Sequence, residues 1–206
     1  YFTIKNKYTY GITEAKPDIL VVGSSRALHH YVPHILNDSL GLSCFNMGSG
    51  GQNVFFYYGI VGSVLERHKP RIIIWDVMDG DLIGKEGDDN KFSELLPLYR
   101  SSGSIRTLIR LVEPSERFKM ISRIYPFNSK VPSMVYTFTK RNNNPHFLMD
   151  GYIPLEGKLT QLPFEGRRDK TFAVDSLKLA LINDIASMCT ESNVKLVAIV
   201  SPRYTR

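Results

Sequence analysis

The sequence predicts an α/β fold in which helices cover both faces of a parallel sheet. Short strand-like runs occupy residues 18–23, 43–46, 71–76 and 194–201, and most of them are continuously apolar. Runs that are apolar at every position, rather than at alternate ones, are typical of parallel strands buried on both faces. Helical patterns separate the runs, and an alternation of strands and helices along the chain favours a parallel sheet.

The segment before the second strand contains one clear strand and one helical stretch. Residues 1–16 are polar and aromatic without a sustained period, so we interpret them as an edge strand or an extended lead-in. The strand at 18–23 ends in glycine, and a helical stretch follows it to about Leu40. Pro33 suits the first turn of a helix and Gly41 suits a helix end, so we expect a helix to restart and stop there.

A glycine-rich loop and a helix separate the second and third strands. Residues 48–53 form the loop, and Asn53 is a suitable N-cap for the helix that follows. Apolar residues at three- and four-residue spacing continue this helix to His68. A long amphipathic helix over 174–188 precedes the last strand.

The connection between the third strand and the last helix does not follow this alternation. It spans about 95 residues, and helical patterning is visible at 98–112 and 115–124. Connections this long are rarely structureless in a compact domain. We therefore predict an insertion or lid subdomain over 83–170, inside a single domain that comprises residues 1–206.

The composition is that of one globular domain with a substantial core. The chain has 206 residues, of which 43% are hydrophobic and 22% charged, and these values argue against intrinsic disorder. Two cysteines, Cys44 and Cys189, cannot staple a chain of this length, so we expect both to be buried small hydrophobes. No apolar run approaches the roughly 18 residues of a membrane-spanning helix.

The net charge of +6 is concentrated in one segment. Residues 99–141 hold nine Lys or Arg and two Glu, a sum of +7, so the rest of the chain carries −1. No nucleic-acid-binding motif is visible and aromatic residues are not interleaved as stacking platforms, so we expect no nucleic-acid partner. A surface that attracts anionic sugars or phosphate head groups and a merely solvated face both fit this segment.

Two loops at predicted strand ends carry unusual residues, at the edge where parallel sheets bind ligands. Gly23–Arg26 reads Gly-Ser-Ser-Arg and places a hydroxyl at the start of a helix. This arrangement suits a serine nucleophile or a phosphate site, and an ordinary N-cap serine with a turn glycine fits it as well. The loop at 46–52 has three glycines, which let the backbone approach a ligand closely or simply provide a flexible connection.

Together, residues 18–26, 46–53 and 72–82 resemble the first three sequence blocks of the SGNH (GDSL-like) hydrolases. The closest likeness is to bacterial members whose first block is Gly-Ser-Ser. The resemblance covers 18–82 well and 172–201 loosely. It implies a flavodoxin-like three-layer α/β/α sandwich and the hydrolysis of esters, often of acyl or acetyl groups on lipids or carbohydrates.

The resemblance also implies roles for individual residues. Ser25 matches the nucleophile, and Ser24 occupies the position that is usually Asp. Gly51 matches the glycine whose N–H lines the oxyanion hole, and the N–H of Ser25 would be a second donor. A mechanism of this type needs no metal and no organic cofactor. We assign to substrate binding Ser24, Arg26, Asn53, Asp79 and Gly80.

The third block departs from the family pattern, because it lacks the asparagine that normally donates to the oxyanion. Aligned from the strand end, Gly80 occupies the asparagine position and Asp79 precedes it. An ionised aspartate cannot donate a hydrogen bond. The donor is therefore missing, supplied from elsewhere, or replaced by a protonated acid.

The catalytic histidine of the family, which follows the last strand in an Asp-x-x-His block, has no counterpart in the sequence. None of the five histidines has an aspartate three residues before it. We expect the block to lie beyond Arg206, and the alternative is a domain that has lost catalysis. A helix-surface role is expected for His29 and His30, with action as a base kept open, and a helix-end role for His68.

Asp76, Asp79 and Asp81 are close together in sequence and could hold a divalent cation. Their spacing matches no standard ligand loop, so we expect strand-end or site-edge roles and no metal. His146 remains unassigned.

Three functions remain as hypotheses. The first is an extracytoplasmic bacterial serine esterase for an acylated carbohydrate or lipid, and the second is a non-catalytic glycan-binding domain of the same fold. The third is a binder of phosphate ligands that uses Gly23–Arg26 as a cradle. The chain starts at Tyr1 rather than Met, which leaves room for a signal peptide or membrane anchor before it. The oligomeric state is left open.

Overall fold

The computed structural model describes residues 7–84, 88, 92–130, 150–155 and 173–201. Its centre is a sheet of four parallel strands in the order β2-β1-β3-β4, which confirms the predicted fold class. The strands are β1 Ile19–Gly23, β2 Cys44–Asn46, β3 Ile72–Asp76 and β4 Lys195–Ile199.

Helices surround the sheet and fill the connections between its strands. The α-helices are α1 Lys7–Thr13, α2 Ser25–His30, α3 Pro33–Leu40, α4 Val54–Arg67, α5 Gly103–Val112, α6 Glu116–Lys119 and α7 Ser176–Glu191. Short 3-10 helices lie at Asp79–Asp81, Ser93–Leu98 and Tyr125–Lys130. Within these ranges no helix has the length and apolar character needed to cross a membrane.

The two faces of the sheet bury different sets of side chains, because successive residues of a strand point to opposite faces. Leu20 and Val22 of β1 belong to the larger cluster, which includes residues of α1, α4, α5 and α7. Ile19 and Val21 belong to a smaller cluster with Ala27 of α2 and Cys44 of β2. The result is the three-layer α/β/α arrangement.

The chain changes direction across the sheet at β1. β2 pairs with one edge of β1 and β3 with the other, so α4 has to cross from one side to the other. Since crossovers between parallel strands are right-handed, the helices after β1 and after β2 cover opposite faces. The loops after β1 and β3 diverge at this point, and ligands of open parallel sheets bind in the crevice between such loops.

The predicted lead-in at 1–16 is wrong where the structure describes it, because α1 is a helix. Its buried residues are Lys7, Gly11 and Ile12. A lysine and a glycine on the buried face do not count as apolar, so the helical period is invisible in a hydrophobic pattern. Tyr8 packs edge-on against Phe56 of α4, with ring centroids 5.2 Å apart.

The predicted boundaries elsewhere agree with the structure to within a few residues. Pro33 starts α3, and Gly41 ends it with φ +63° and a hydrogen bond from its N–H to the carbonyl of Asn37. The Asn53 side chain caps α4. Cys44 and Cys189 are free and buried, and burial raises the pKa of both thiols, that of Cys189 to about 11.

The first part of the predicted insertion packs against the core. α5 buries Ile105, Leu108 and Ile109 against α4, where a Cβ on Gly59 would lie 2.4 Å from Leu95. The helical pattern at 98–112 thus corresponds to a 3-10 turn followed by α5, whereas the pattern at 115–124 yields only the short α6. Residues 131–149 and 156–172 lie outside the described part of the chain, so the subdomain over 83–170 stays a prediction.

Candidate functional site

The loops after β1, β2 and β3 line one cavity at the carboxyl end of the sheet. Its volume is about 290 Å³. The predicted site residues on its wall are Ser24, Ser25, Gly51, Asn53 and Gly80. The wall also contains four residues that sequence reasoning did not single out as a set, namely Gln52, Met78, Asp81 and Asp88.

In the first loop, Ser24 is buried and Ser25 is exposed. Gly23 has φ +145°, and a Cβ there would lie 2.7 Å from Ala27 and 2.9 Å from the carbonyl oxygen of Asp76, so the turn requires glycine. Ser24 is buried and its hydroxyl donates to the sulfur of Met78. Ser25 begins α2 and is exposed at the cavity wall. Of these two serines, Ser25 therefore presents its hydroxyl to an incoming ligand.

The glycine-rich loop after β2 is held against α2. A Cβ on Gly48 would lie 2.4 Å from the backbone nitrogen of Leu28, so this position also requires glycine. The N–H of Ser49 donates to the carbonyl of Gly23 over 2.9 Å. The side chain of Asn46 fastens the loop further, since it donates to Ala27 O over 2.7 Å and accepts from Gly48 N over 2.8 Å.

This packing brings the loop close to Ser25. A Cβ built on Gly50 would lie 4.0 Å from the Cβ of Ser25. Gly51 has φ +73°, has open space where its side chain would be, and lines the same cavity. Within the described ranges, neither the N–H of Ser25 nor that of Gly51 donates to an acceptor.

Lys7 of α1 also holds the glycine-rich loop after β2 in place. Its buried ammonium group donates to the carbonyl oxygens of Gly48 and Gly151, the latter over 3.0 Å. Burial lowers the pKa of Lys7 to about 7, although the charge of Glu94 acts in the opposite direction. α1 thus connects the glycine loop to the segment at 150–155.

Asn53 places an unpaired amide group at the cavity wall. Its Oδ1 accepts a hydrogen bond from the N–H of Phe55 over 3.1 Å, and this cap fixes which end of the amide is oxygen. Its Nδ2 is buried and has no hydrogen-bond partner among the residues that the structure describes. Buried amide groups are nearly always paired in folded proteins, so this nitrogen is an exception among the residues that line the cavity.

Asp81 is the buried acid of the third loop. It is 1% exposed, and its Oδ2 accepts from the N–H of Met78 over 2.8 Å. Burial raises the pKa of Asp81 to about 7, against the hydrogen bond from Met78 and the charge of Lys178. Asp79 opens the 3-10 turn in the same loop, but its side chain lies outside the described structure.

Lys178 of α7 anchors the third loop. Its side chain is fully buried, and its ammonium group donates to Gly80 O over 3.0 Å and Ile83 O over 2.6 Å. It also forms an ion pair with Asp88 over 2.5 Å. Sequence reasoning missed this residue, because a lysine on an amphipathic helix is normally solvated.

Arg26 lies behind the cavity rather than on its wall. Its guanidinium group pairs with Asp76 at 2.9 Å and donates to the carbonyl oxygens of Val77 and Ser201. Asp76 is fully buried and also accepts from the hydroxyl groups of Tyr31 and Ser201. These contacts join the ends of β1, β3 and β4. The substrate contact expected of Arg26 stays a prediction.

No histidine in the described ranges is hydrogen-bonded to Ser25. The Nδ1 of His29 lies 2.7 Å from the carbonyl oxygen of Ile153, and the Nε2 of His68 lies 2.8 Å from that of Pro17. His30 is exposed and His146 lies outside the described residues. Among the described residues, no group of three or more His, Cys, Asp or Glu is placed to hold a metal ion.

Comparisons with known proteins leave the family open. No family model matches this chain, and no curated protein sequence matches it. The resemblance to the SGNH hydrolases therefore stays a prediction that depends on Ser25, the glycine loop and the fold.

Proposed function

We propose that this protein is a serine ester hydrolase in which Ser25 is the nucleophile. The observation that carries the proposal is the exposed Ser25 at the wall of a cavity that Gly51 also lines. An acyl-transfer site needs a nucleophile and N–H donors that converge on one reacting atom. We propose an acylated carbohydrate or lipid as the substrate class, which is what the family resemblance implies.

The oxyanion would be held by three donors from two loops. The N–H groups of Ser25 and Gly51 provide two of them, since neither has another acceptor within the described residues. We assign the third to Nδ2 of Asn53, because Asn53 lines the same cavity and this buried nitrogen has no partner in the described structure. It would replace the asparagine that the third sequence block lacks.

Asp81 offers a second way to replace that donor. A carboxylic acid that keeps its proton can donate a hydrogen bond, whereas the ionised form cannot. With its pKa raised to about 7 by burial, Asp81 would be a donor only below neutral pH. Asn53 is the better assignment, because an amide nitrogen donates a hydrogen bond on both sides of neutral pH.

The reaction follows from these roles. Ser25 Oγ attacks the ester carbonyl carbon while a histidine accepts the hydroxyl proton, and the tetrahedral oxyanion forms against the three donors. Collapse of the intermediate breaks the bond to the alcohol, which takes the proton from the histidine. Water then attacks the acyl-enzyme and releases the acid and free Ser25. The proposal places this histidine, with its aspartate, outside the described residues.

Hydrolysis of p-nitrophenyl acetate by the full-length protein tests the proposal. Ser25→Ala should lower kcat/KM by at least about a thousandfold, because the nucleophile is lost. Ser39→Ala removes an exposed hydroxyl from α3 and serves as the matched control, with activity unchanged. A Ser25→Ala variant that keeps its activity would refute the assignment of the nucleophile.

A non-catalytic glycan-binding domain of the same fold is the second candidate. The absence of a histidine contact to Ser25 within the described residues favours it. If it is correct, the full-length protein binds acetylated oligosaccharides and releases no acetate from them. We also propose an extracytoplasmic location, which depends on the family resemblance alone.

A further inference from the structure

The short segment 116–127, which we call the basic apolar segment, exposes large apolar side chains at regular spacing. Phe118, Ile121, Ile124 and Phe127 follow one another every three residues and are 61%, 77%, 72% and 38% exposed. Elsewhere in the described structure, exposed large hydrophobic residues are scattered, as is normal for a protein surface. A dense group of this kind indicates an interaction site.

The exposure of these side chains does not come from a loose end of chain. Met120, in the middle of the segment, is 2% exposed and fastens it to the core. Arg100 donates to the carbonyl oxygen of Met120 over 3.1 Å, and the hydroxyl of Tyr125 donates to Glu116 over 2.7 Å. The backbone is thus held in place while the apolar side chains point away from the core.

The surroundings of the segment are positively charged. Residues 92–130 contain seven Lys or Arg and three Glu, a net charge of +4. Glu116 forms an ion pair with Lys119 at 2.5 Å, so it does not neutralise the arginines. Arg117 and Arg123 have no carboxylate partner in the part of the chain that the structure describes, and the guanidinium carbon of Arg117 lies 4.6 Å from the ring centroid of Phe118.

We propose that the basic apolar segment docks the protein on an anionic lipid bilayer. Apolar tips enter the boundary between head groups and acyl chains, and arginine side chains contact the lipid phosphates at the same depth. The charge complementarity selects this partner, since a purely hydrophobic protein interface would not require the unpaired Arg117 and Arg123 beside Phe118 and Ile124. The proposal is independent of the esterase activity proposed above.

Co-sedimentation with vesicles tests the proposal on the full-length protein. Vesicles of 30% phosphatidylglycerol in phosphatidylcholine should bind it, and raising the salt from 50 to 500 mM should weaken that binding. Pure phosphatidylcholine vesicles should bind it at least tenfold more weakly. Absence of binding to the anionic vesicles at low salt would overturn the proposal.

Matched variants distinguish binding through this segment from non-specific hydrophobic binding to the vesicles. Ile121→Ser combined with Ile124→Ser should reduce binding at least tenfold, because apolar burial is lost. Ile35→Ser combined with Leu40→Ser removes two similarly exposed aliphatic residues from α3 and should leave binding unchanged. If both double variants bind equally well, the segment is not the docking site.

A charge variant tests the electrostatic part. Arg117→Gln with Arg123→Gln should weaken binding by about fivefold per cation removed. Lys16→Gln with Lys195→Gln removes two exposed cations elsewhere and should have a smaller effect. A protein that forms a dimer through the segment, shown by light scattering and abolished by the isoleucine variant, would overturn lipid docking in favour of self-association.

Discussion

The guanidinium group of Arg26 lies 2.9 Å from the carboxylate of Asp76, so the residue after Ser25 is ion-paired to the end of β3. Asp76 is fully buried and the Arg26 side chain is 12% exposed. The pair therefore fixes the start of α2 relative to the central strands. It determines where the Ser25 hydroxyl lies without touching the cavity itself.

Removing one member of this pair should destabilise the protein strongly. Asp76→Asn leaves a nearly buried guanidinium without its counter-charge, and we expect a loss of about 3 kcal/mol in the free energy of unfolding, measured by urea denaturation. Arg26→Gln should cost a similar amount, and the double variant should cost much less than the sum. Strict additivity of the two effects would show that the residues do not interact.

Lys178 should be essential for the loop that carries Gly80. Lys178→Met keeps the volume but removes the ammonium group that contacts two carbonyl oxygens and the Asp88 carboxylate, so we expect a loss of about 3 kcal/mol in urea denaturation. Lys195→Met, at an exposed position, is the control and should change stability by less than about 0.5 kcal/mol. An effect of Lys178→Met no larger than that of the control would contradict the buried contacts.

Asp81 should make stability decrease with pH. Its pKa is raised from 3.8 to about 7 in the folded state, so between these values the folded protein retains a proton that the unfolded chain releases. The free energy of unfolding therefore falls as pH rises through this window, by up to about 1.4 kcal/mol per pH unit from this group.

Asp81→Asn should remove that slope, while Asp38→Asn at an exposed position should retain it. Urea denaturation between pH 4.5 and 6.5 measures both. Higher pH is avoided because the Lys7 pKa, lowered to about 7, gives a slope of opposite sign from there upwards. Equal slopes in wild type and Asp81→Asn would contradict the raised pKa.

Asn53 should act through its amide nitrogen and not only as a helix cap. Asn53→Asp keeps the capping oxygen and loses the donor, so stability should hold while kcat for ester hydrolysis falls by about a hundredfold. Asn53→Ala should lose the same activity and also about 1 kcal/mol of stability. If Asn53→Asp retains wild-type kcat, the residue only caps α4.

The sequence predicts the elements whose signals are local. The strands at 19–23 and 72–76 are continuous apolar runs, and Pro33, Gly41 and Asn53 mark helix ends by their own chemistry. α1 could not be predicted in this way, because its buried face includes Lys7, which is solvated in most helices.

In the candidate site, too, residues with a local sequence signal could be predicted and residues held by long-range contacts could not. Gly23 and the glycine loop were predictable because turns of this kind need residues without a Cβ. The contact between Lys178 and Gly80 was not, since it joins residues 98 positions apart and nothing near either one indicates burial. The same packing buries Asp81, and burial raises its pKa against the opposing charge of Lys178.

The most direct test of the account is covalent labelling of the full-length protein with a fluorophosphonate, followed by peptide mass spectrometry. A nucleophilic serine displaces fluoride from such a reagent and keeps the phosphonyl group. We expect one adduct, on Ser25, that is absent from Ser25→Ala and present in Ser39→Ala. Labelling of a different serine, or no labelling of a folded full-length protein, would contradict it.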